Sequence, residues 1–283
     1  MVLGLPPMAF VGALFLFIPH NYFKSLRWSS LLKQMGVNRR VGTLFNLNIA
    51  SFAPSVLSPG RIAEFVKTLP LVNTDCTLSV AIGSAVVDRL FDLGFVICFG
   101  MGGVFLFFGT QSVLKLSLII ALSIAGIYIG SRVLLSKILN STWSGHFQNL
   151  GEAFDKLGKG TVTFWTKTLT STFMLWLSYY LSIRILAGAL GIPLSLGVIF
   201  LVFSAIAVLN LVPVSIAGVG TRDALLVLFF ARQGWQAEQA MALAGAVLAL
   251  LFTEALISLI YLTALSWLSP DKYGNMTGKI RRI

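Results

Sequence analysis

The chain has 283 residues, 57% of them hydrophobic and 11% charged, with a mean hydropathy of +0.87. Soluble domains carry about 25% charged residues, so this composition excludes a soluble globular protein and indicates an integral membrane one. The formal net charge of +11 then marks cytoplasmic loops and anionic headgroup contact, and nucleic-acid binding is disfavoured. Cys76 and Cys98 form no metal or redox spacing, and His20 and His146 lack a second ligand at helical spacing. No metal and no cofactor is expected.

The N-terminus has no basic leader region and no small-residue cleavage site, so residues 3–23 read as a retained span, made irregular by Pro6, Pro7 and Pro19. Lys24, Arg27, Lys33, Arg39 and Arg40 follow as a basic loop, with Arg27-Trp28 as an interfacial anchor. Residues 41–57 are apolar but short, broken at Pro54 and again at Pro59, and residues 62–72 form a second short piece. Two short pieces around a Pro/Gly break predict a re-entrant hairpin. At that break, Gly60 and Arg61 precede a new helix start, where unpaired N–H groups favour an anion. Arg61, Glu64 and Lys67 share one face. The plainer alternative is a surface loop in which Arg61 pairs with Glu64.

Residues 78–108 predict a long apolar helix carrying Asp88, Arg89 and Asp92. Counted from Leu78, Asp88 lies about 15 Å along it, and Arg89 reaches Asp92 at i+3. Ionisable groups at such depth are functional candidates; a start nearer Ala85 would instead leave them at the interface. Residues 113–135 return, with Gly126 and Gly130 as a small-residue packing face. Residues 140–167 form a polar connector whose Trp143, Phe147, Leu150, Phe154 and Leu157 make one amphipathic stripe. It either lies in the cytoplasmic headgroup layer or packs on the bundle as a solvated link. A phosphate loop at Gly158-Lys159 is excluded, because Gly160 and Ala153 stand at the wrong places. Residues 164–190 span, and Gly191-Ile192-Pro193 turn. The apolar piece 194–212 is broken by Pro213 and Ala217-Gly218-Val219-Gly220. Arg222-Asp223 opens a short helix to about Gln233, and residues 237–268 form the last span, with Glu254 near its middle. The tail is basic, with Lys272, Lys279, Arg281 and Arg282.

The two breaks correspond: Pro54…Gly60-Arg61 and Pro213…Gly220-Thr221-Arg222. Gly83 and Asp92 match Gly245 and Glu254 at equal spacing. Residues 41–108 and 194–268 thus read as two repeat cores in a single membrane domain. Basic segments should face the cytoplasm, while the uncharged turns at Gly109-Thr110-Gln111 and Gly191 should face outside. The N-terminus is then outside and the C-terminus cytoplasmic, in a plasma membrane. The hairpins enter from opposite faces, an inverted-topology repeat of the kind that builds transporter sites at broken helices. The expected fold is all-α, a polytopic helical membrane protein.

Four phrases carry a resemblance: Arg27-Trp28…Leu31-Leu32, Pro59-Gly60-Arg61-x-x-Glu64, Asp88-Arg89-x-x-Asp92 and Pro213…Gly218-x-Gly220-x-Arg222-Asp223. In order and spacing they resemble the lysylphosphatidylglycerol synthase transmembrane-region family, the flippase-like membrane half of the multiple peptide resistance factor. Ala63 and Ala217 stand where that pattern tends to glycine, and Asp88 and Asp223 where it tends to glutamate. The resemblance implies movement of a phospholipid or polyprenyl-linked lipid between leaflets. On that expectation Arg61, Arg222, Gly60 and Gly220 hold the lipid phosphate. Glu64, Asp88, Arg89, Asp92, Asp223 and Glu254 balance or couple charge; the partner expected for Glu254 from its apolar surroundings is Arg222, Arg184 or water in a cavity. The chain stops at Ile283 without the soluble transferase domain of two-domain members, and its start resembles a family member lacking a first helix. No enzyme is expected. A lipid-modifying enzyme using Asp88 and Asp92, or a non-transporting partner of a glycosyltransferase or other lipid-modifying enzyme, are the competing readings.

Overall fold

The computed structural model describes residues 5–72, 76–111, 114, 155–209 and 220–268. Its regular elements are all helical among the described residues. They are α1 (Pro7–Phe15), α2 (Phe17–Gln34), α3 (Val41–Leu57), a 3-10 helix (Pro59–Leu71), α4 (Leu78–Phe108), α5 (Val162–Ala189), α6 (Leu196–Leu209), α7 (Thr221–Arg232) and α8 (Ala237–Leu268). Three are long and apolar enough to cross a membrane: Leu78–Leu106, Val162–Ala189 and Ala237–Leu265. Thr77 and Thr161 start two of them, each hydroxyl accepting a backbone N–H of the first turn. At the end of α5, Gly191 adopts φ +71°, and the Ile192 N–H reaches back to the Ala187 carbonyl at 2.9 Å. That closure satisfies last-turn carbonyls in a conformation only glycine adopts without strain.

The structure departs from several sequence expectations. The first apolar run, expected as an irregular span, does not end at residue 23. It breaks at Leu16, and α2 then continues through the expected basic loop to Gln34, closing at Gly36. Arg27 and Trp28, expected at the interface, are both 0% exposed. The reason is local: no glycine or proline interrupts Lys24 to Gln34, and Asn21, Ser25, Trp28 and Leu32 continue one buried stripe at helical spacing. Helix α4 does begin at Leu78 rather than near Ala85. The piece after Pro59 is a 3-10 helix, in which residues three apart eclipse, so Glu64 and Lys67 still meet. Residues 162–167 of the expected connector belong to α5. Residues 113 and 115–154, Pro213 and the Ala217–Val219 run lie outside the described residues.

Pro54 does not end α3, which runs to Leu57. The Ser258 hydroxyl of α8 instead enters the helix. It receives the Ala53 N–H at 2.9 Å and donates to the Ile49 carbonyl at 2.6 Å. A hydroxyl placed between groups four residues apart is a recognised insertion into a helix that keeps both groups hydrogen-bonded. Helix α4 approaches α6 closely through two glycines. A Cβ on Gly103 would sit 2.5 Å from the Leu201 carbonyl oxygen, and one on Gly100 2.8 Å from that of Ser204. Small residues permit such backbone approach in membranes, where apolar burial alone gives little drive to associate.

Candidate functional site

Five elements converge on a largely buried cluster of charges, with Arg89 partly exposed at its edge. Helix α2 supplies Lys24 and Arg27, three residues apart on one face. The 3-10 helix supplies Glu64 and Lys67, and α4 supplies Asp88, Arg89 and Asp92. Asn48 of α3 and Thr172 of α5 complete it.

Arg27 sits at the centre of one half. Its Nε lies 2.7 Å from Asp88 Oδ1 and its Nη1 2.8 Å from Asp92 Oδ1. The same Nη1 donates to Thr172 Oγ1 at 3.2 Å. Carboxylates four residues apart on one helix face present two acceptors, and the forked guanidinium meets both. Glu64 organises the other half. Its Oε1 accepts from Lys24 Nζ at 2.6 Å and from Lys67 Nζ at 3.1 Å. Arg89 Nη2 lies 2.6 Å from Oε2, an ionic contact whose direction falls outside hydrogen-bond geometry.

Lys67 joins the halves. Its Nζ is 3.4 Å from Asp88 Oδ2, 3.0 Å from Asn48 Oδ1, and 4.6 Å from the centre of the Trp28 ring. Trp28 is in turn held by its Nε1–H bond to Ser84 Oγ at 2.9 Å. Asn48 is fixed by donating to Ser25 Oγ at 2.8 Å.

The charges do not balance. Lys24, Arg27, Lys67 and Arg89 face Glu64, Asp88 and Asp92, four cations against three carboxylates among the described residues. Removing charges from water costs several kcal/mol per ion, and only good pairing offsets it. An excess of one positive charge in such a place is favourable chiefly when an anion completes it. Arg27 Nη2 identifies an open donor: it is buried and has no partner among the described residues. Beside the network lies an apolar groove of about 510 Å³ between α4 and α5, with Thr172 on its wall.

Of the residues expected from sequence, Glu64, Asp88, Arg89 and Asp92 are brought together. Their pairing differs from expectation: Asp92 is held by Arg27, and Arg89 by Glu64. Arg61 and Gly60 lie in the 3-10 helix, with their side-chain positions outside the described residues. On α7, the Arg222 Nη2 pairs with Asp223 Oδ1 at 3.0 Å. Asp223 Oδ2 accepts the Gly220 N–H at 3.1 Å, closing the helix start at a residue with φ +87°. That N–H is therefore engaged within the protein. Glu254 lies mid-way along α8, partly buried. Lys24 and Arg27 were missed as site residues. The signal for them was the polar–aromatic stripe from Asn21 to Leu32, together with two carboxylates at i and i+4 that demand a forked partner.

Residues 2–266 match the family model described as the lysylphosphatidylglycerol synthase TM region. The chain belongs to this family. No curated protein and no solved structure matches it. As a lysylphosphatidylglycerol synthase TM-region protein, it is a membrane protein with a lipid-related role. The buried network is where its polar chemistry is concentrated among the described residues.

Proposed function

We propose that this protein moves an anionic lipid between membrane leaflets, the headgroup phosphate being received by the buried cationic network. The observation that carries the reading is the cluster, unbalanced among the described residues, with four cations, three carboxylates and the open Arg27 Nη2. A phosphate oxygen satisfies a guanidinium N–H with a charge-assisted bond, and its charge offsets the excess. When the site is empty, Glu64, Asp88 and Asp92 keep the cations paired, which lowers the cost of holding them away from water. All three carboxylates are engaged by cations, which favours a carrier over a lipid-modifying catalyst.

Packing supports two related halves. Helix α4 of the first core lies on α6 of the second, and α8 of the second lies on α3 of the first. Exchanging the halves exchanges these contacts, as a two-fold-related repeat requires. Helix α7, with 12 residues, extends about 18 Å. It falls short of a hydrocarbon core of about 30 Å, in keeping with a re-entrant second hairpin. In the orientation that follows from the basic segments, the N-terminus is outside and the C-terminus cytoplasmic.

The test is leaflet exchange. Purified protein in phosphatidylcholine vesicles carries a trace of headgroup-labelled or chain-labelled fluorescent phosphatidylglycerol, and dithionite bleaches the outer leaflet. Bleaching should proceed past half of the signal for phosphatidylglycerol, and much more slowly for the zwitterionic analogue. Bleaching that stops at half for both lipids defeats the proposal.

A further inference from the structure

The groove between α4 and α5 has a composition unlike the network beside it. Phe95 and Phe99 from α4 and Trp165 and Leu169 from α5 line it, with Gly94 on its floor. Thr172 belongs to both places: it lines the groove, and its Oγ1 accepts from Arg27 Nη1. A single side chain therefore separates an apolar trough from a buried guanidinium with an open donor. Leu90 and Leu169 on the groove are 53% and 56% exposed, so the trough is open along an apolar outer flank.

Along α4 the trough runs from Val87 to Phe99, about 18 Å at 1.5 Å per residue. One leaflet of a hydrocarbon core of about 30 Å is about 15 Å deep. The trough thus matches one chain crossing one leaflet, and a long polyprenyl tail would run beyond it. The polar end selects the headgroup: a cationic excess with a free N–H calls for an anion, and a zwitterionic headgroup brings its own cation to the same place.

We infer that the α4–α5 groove is the seat of one acyl chain of an anionic glycerophospholipid, which enters sideways from the bilayer with its phosphate directed past Thr172 toward Arg27. This rests on the lipid-handling reading above and adds to it the route of entry and the class of lipid. Gly94 offers a clean probe, because a Cβ there would meet nothing within 4 Å. Larger side chains at this position fill the trough without forcing the helices apart.

The experiment uses the full chain in micelles and reads retention of phosphatidylglycerol by native mass spectrometry. Phosphatidylcholine and undecaprenyl phosphate serve as competitors. Gly94→Ala should bind phosphatidylglycerol as the parent does, while Gly94→Leu and Gly94→Phe should lose affinity in order of size. A loss of about tenfold corresponds to roughly two methylene groups left unburied. Gly12→Leu, whose Cβ also meets nothing within 4 Å, should leave binding unchanged. Equal binding in the parent, Gly94→Leu and Gly94→Phe overturns the chain seat. If Arg27→Gln abolishes retention in that case, the headgroup reading survives without it. Undecaprenyl phosphate displacing phosphatidylglycerol at equal concentration overturns the assignment of an acyl chain. Phosphatidylcholine binding as tightly as phosphatidylglycerol overturns the directed headgroup.

Discussion

Replacing Arg27 with methionine tests the network at its most connected point. The side chain is wholly buried, and its removal deletes contacts of 2.7 and 2.8 Å to Asp88 and Asp92. The two carboxylates are not left equally exposed to the loss. Asp88 keeps Lys67 at 3.4 Å, whereas the described ion pair of Asp92 is with Arg27 alone. Breaking a buried pair from one side costs about 3–5 kcal/mol, because a charge is left uncompensated. Arg27→Met should therefore lose about that much, and most of it resides at Asp92. Adding Asp92→Asn should restore most of the stability, since three cations then face two carboxylates and no carboxylate is stranded. Adding Asp88→Asn should restore little. The assay is reversible unfolding in mixed micelles titrated with sodium dodecyl sulfate and followed by tryptophan fluorescence. A single variant within about 1 kcal/mol of the parent, or equal rescue by the two asparagines, would refute the geometry and the reasoning from it.

Other consequences follow from single contacts. Ser258→Ala removes the hydroxyl between the Ala53 N–H and the Ile49 carbonyl; it should cost about 1–3 kcal/mol, read in the same unfolding assay, and an unchanged midpoint would show that α3 closes the bond by itself. Gly103→Val places a Cβ 2.5 Å from a backbone oxygen of α6, so folded yield by size-exclusion chromatography should collapse, while Gly102→Ala, whose nearest neighbour is the flexible Leu201 end at 3.5 Å, should be tolerated. Cysteines at Ser195 and Gln236, both exposed and both free of positive φ, should react with an impermeant thiol reagent from the same outer side in a Cys76→Ser/Cys98→Ser background. Labelling of the two from opposite sides would remove the re-entrant second hairpin.

The residues that could be read from sequence were those whose meaning is local. A charge in an apolar helix is visible as an anomaly, which is why Glu64, Asp88, Arg89 and Asp92 stood out. The start at Leu78 and the turn at Gly191 agree with the sequence reading, whereas the Thr161 cap starts α5 at Val162, inside the expected connector. What sequence concealed was partner choice. Arg89 is three residues from Asp92, yet its side chain pairs with Glu64, because tertiary packing delivers Arg27 to Asp92 from another helix. Lys24 and Arg27 read as loop charges because basic residues after an apolar run usually mark the membrane surface. Their true status depended on α2 continuing for three further turns, which only the buried polar stripe signalled. Pro54 misled for a similar reason: a proline removes one helix bond without having to end the helix, and Ser258, about 200 residues away in the chain, bridges the Ile49 carbonyl and the Ala53 N–H in the turn before it.

The central claim is that the spare positive charge of the network is completed by a lipid phosphate. Ligand linkage tests it directly, since a molecule that binds only the folded state raises unfolding free energy by about 2.7 kcal/mol at a hundredfold excess over its dissociation constant. Unfolding is measured in neutral micelles with rising mole fractions of phosphatidylglycerol or phosphatidylcholine. The parent protein should be stabilised progressively by phosphatidylglycerol and little by phosphatidylcholine. Arg27→Met/Asp92→Asn, which has the same net charge, should lose that selectivity. Equal stabilisation of parent and double variant by phosphatidylglycerol would contradict the claim.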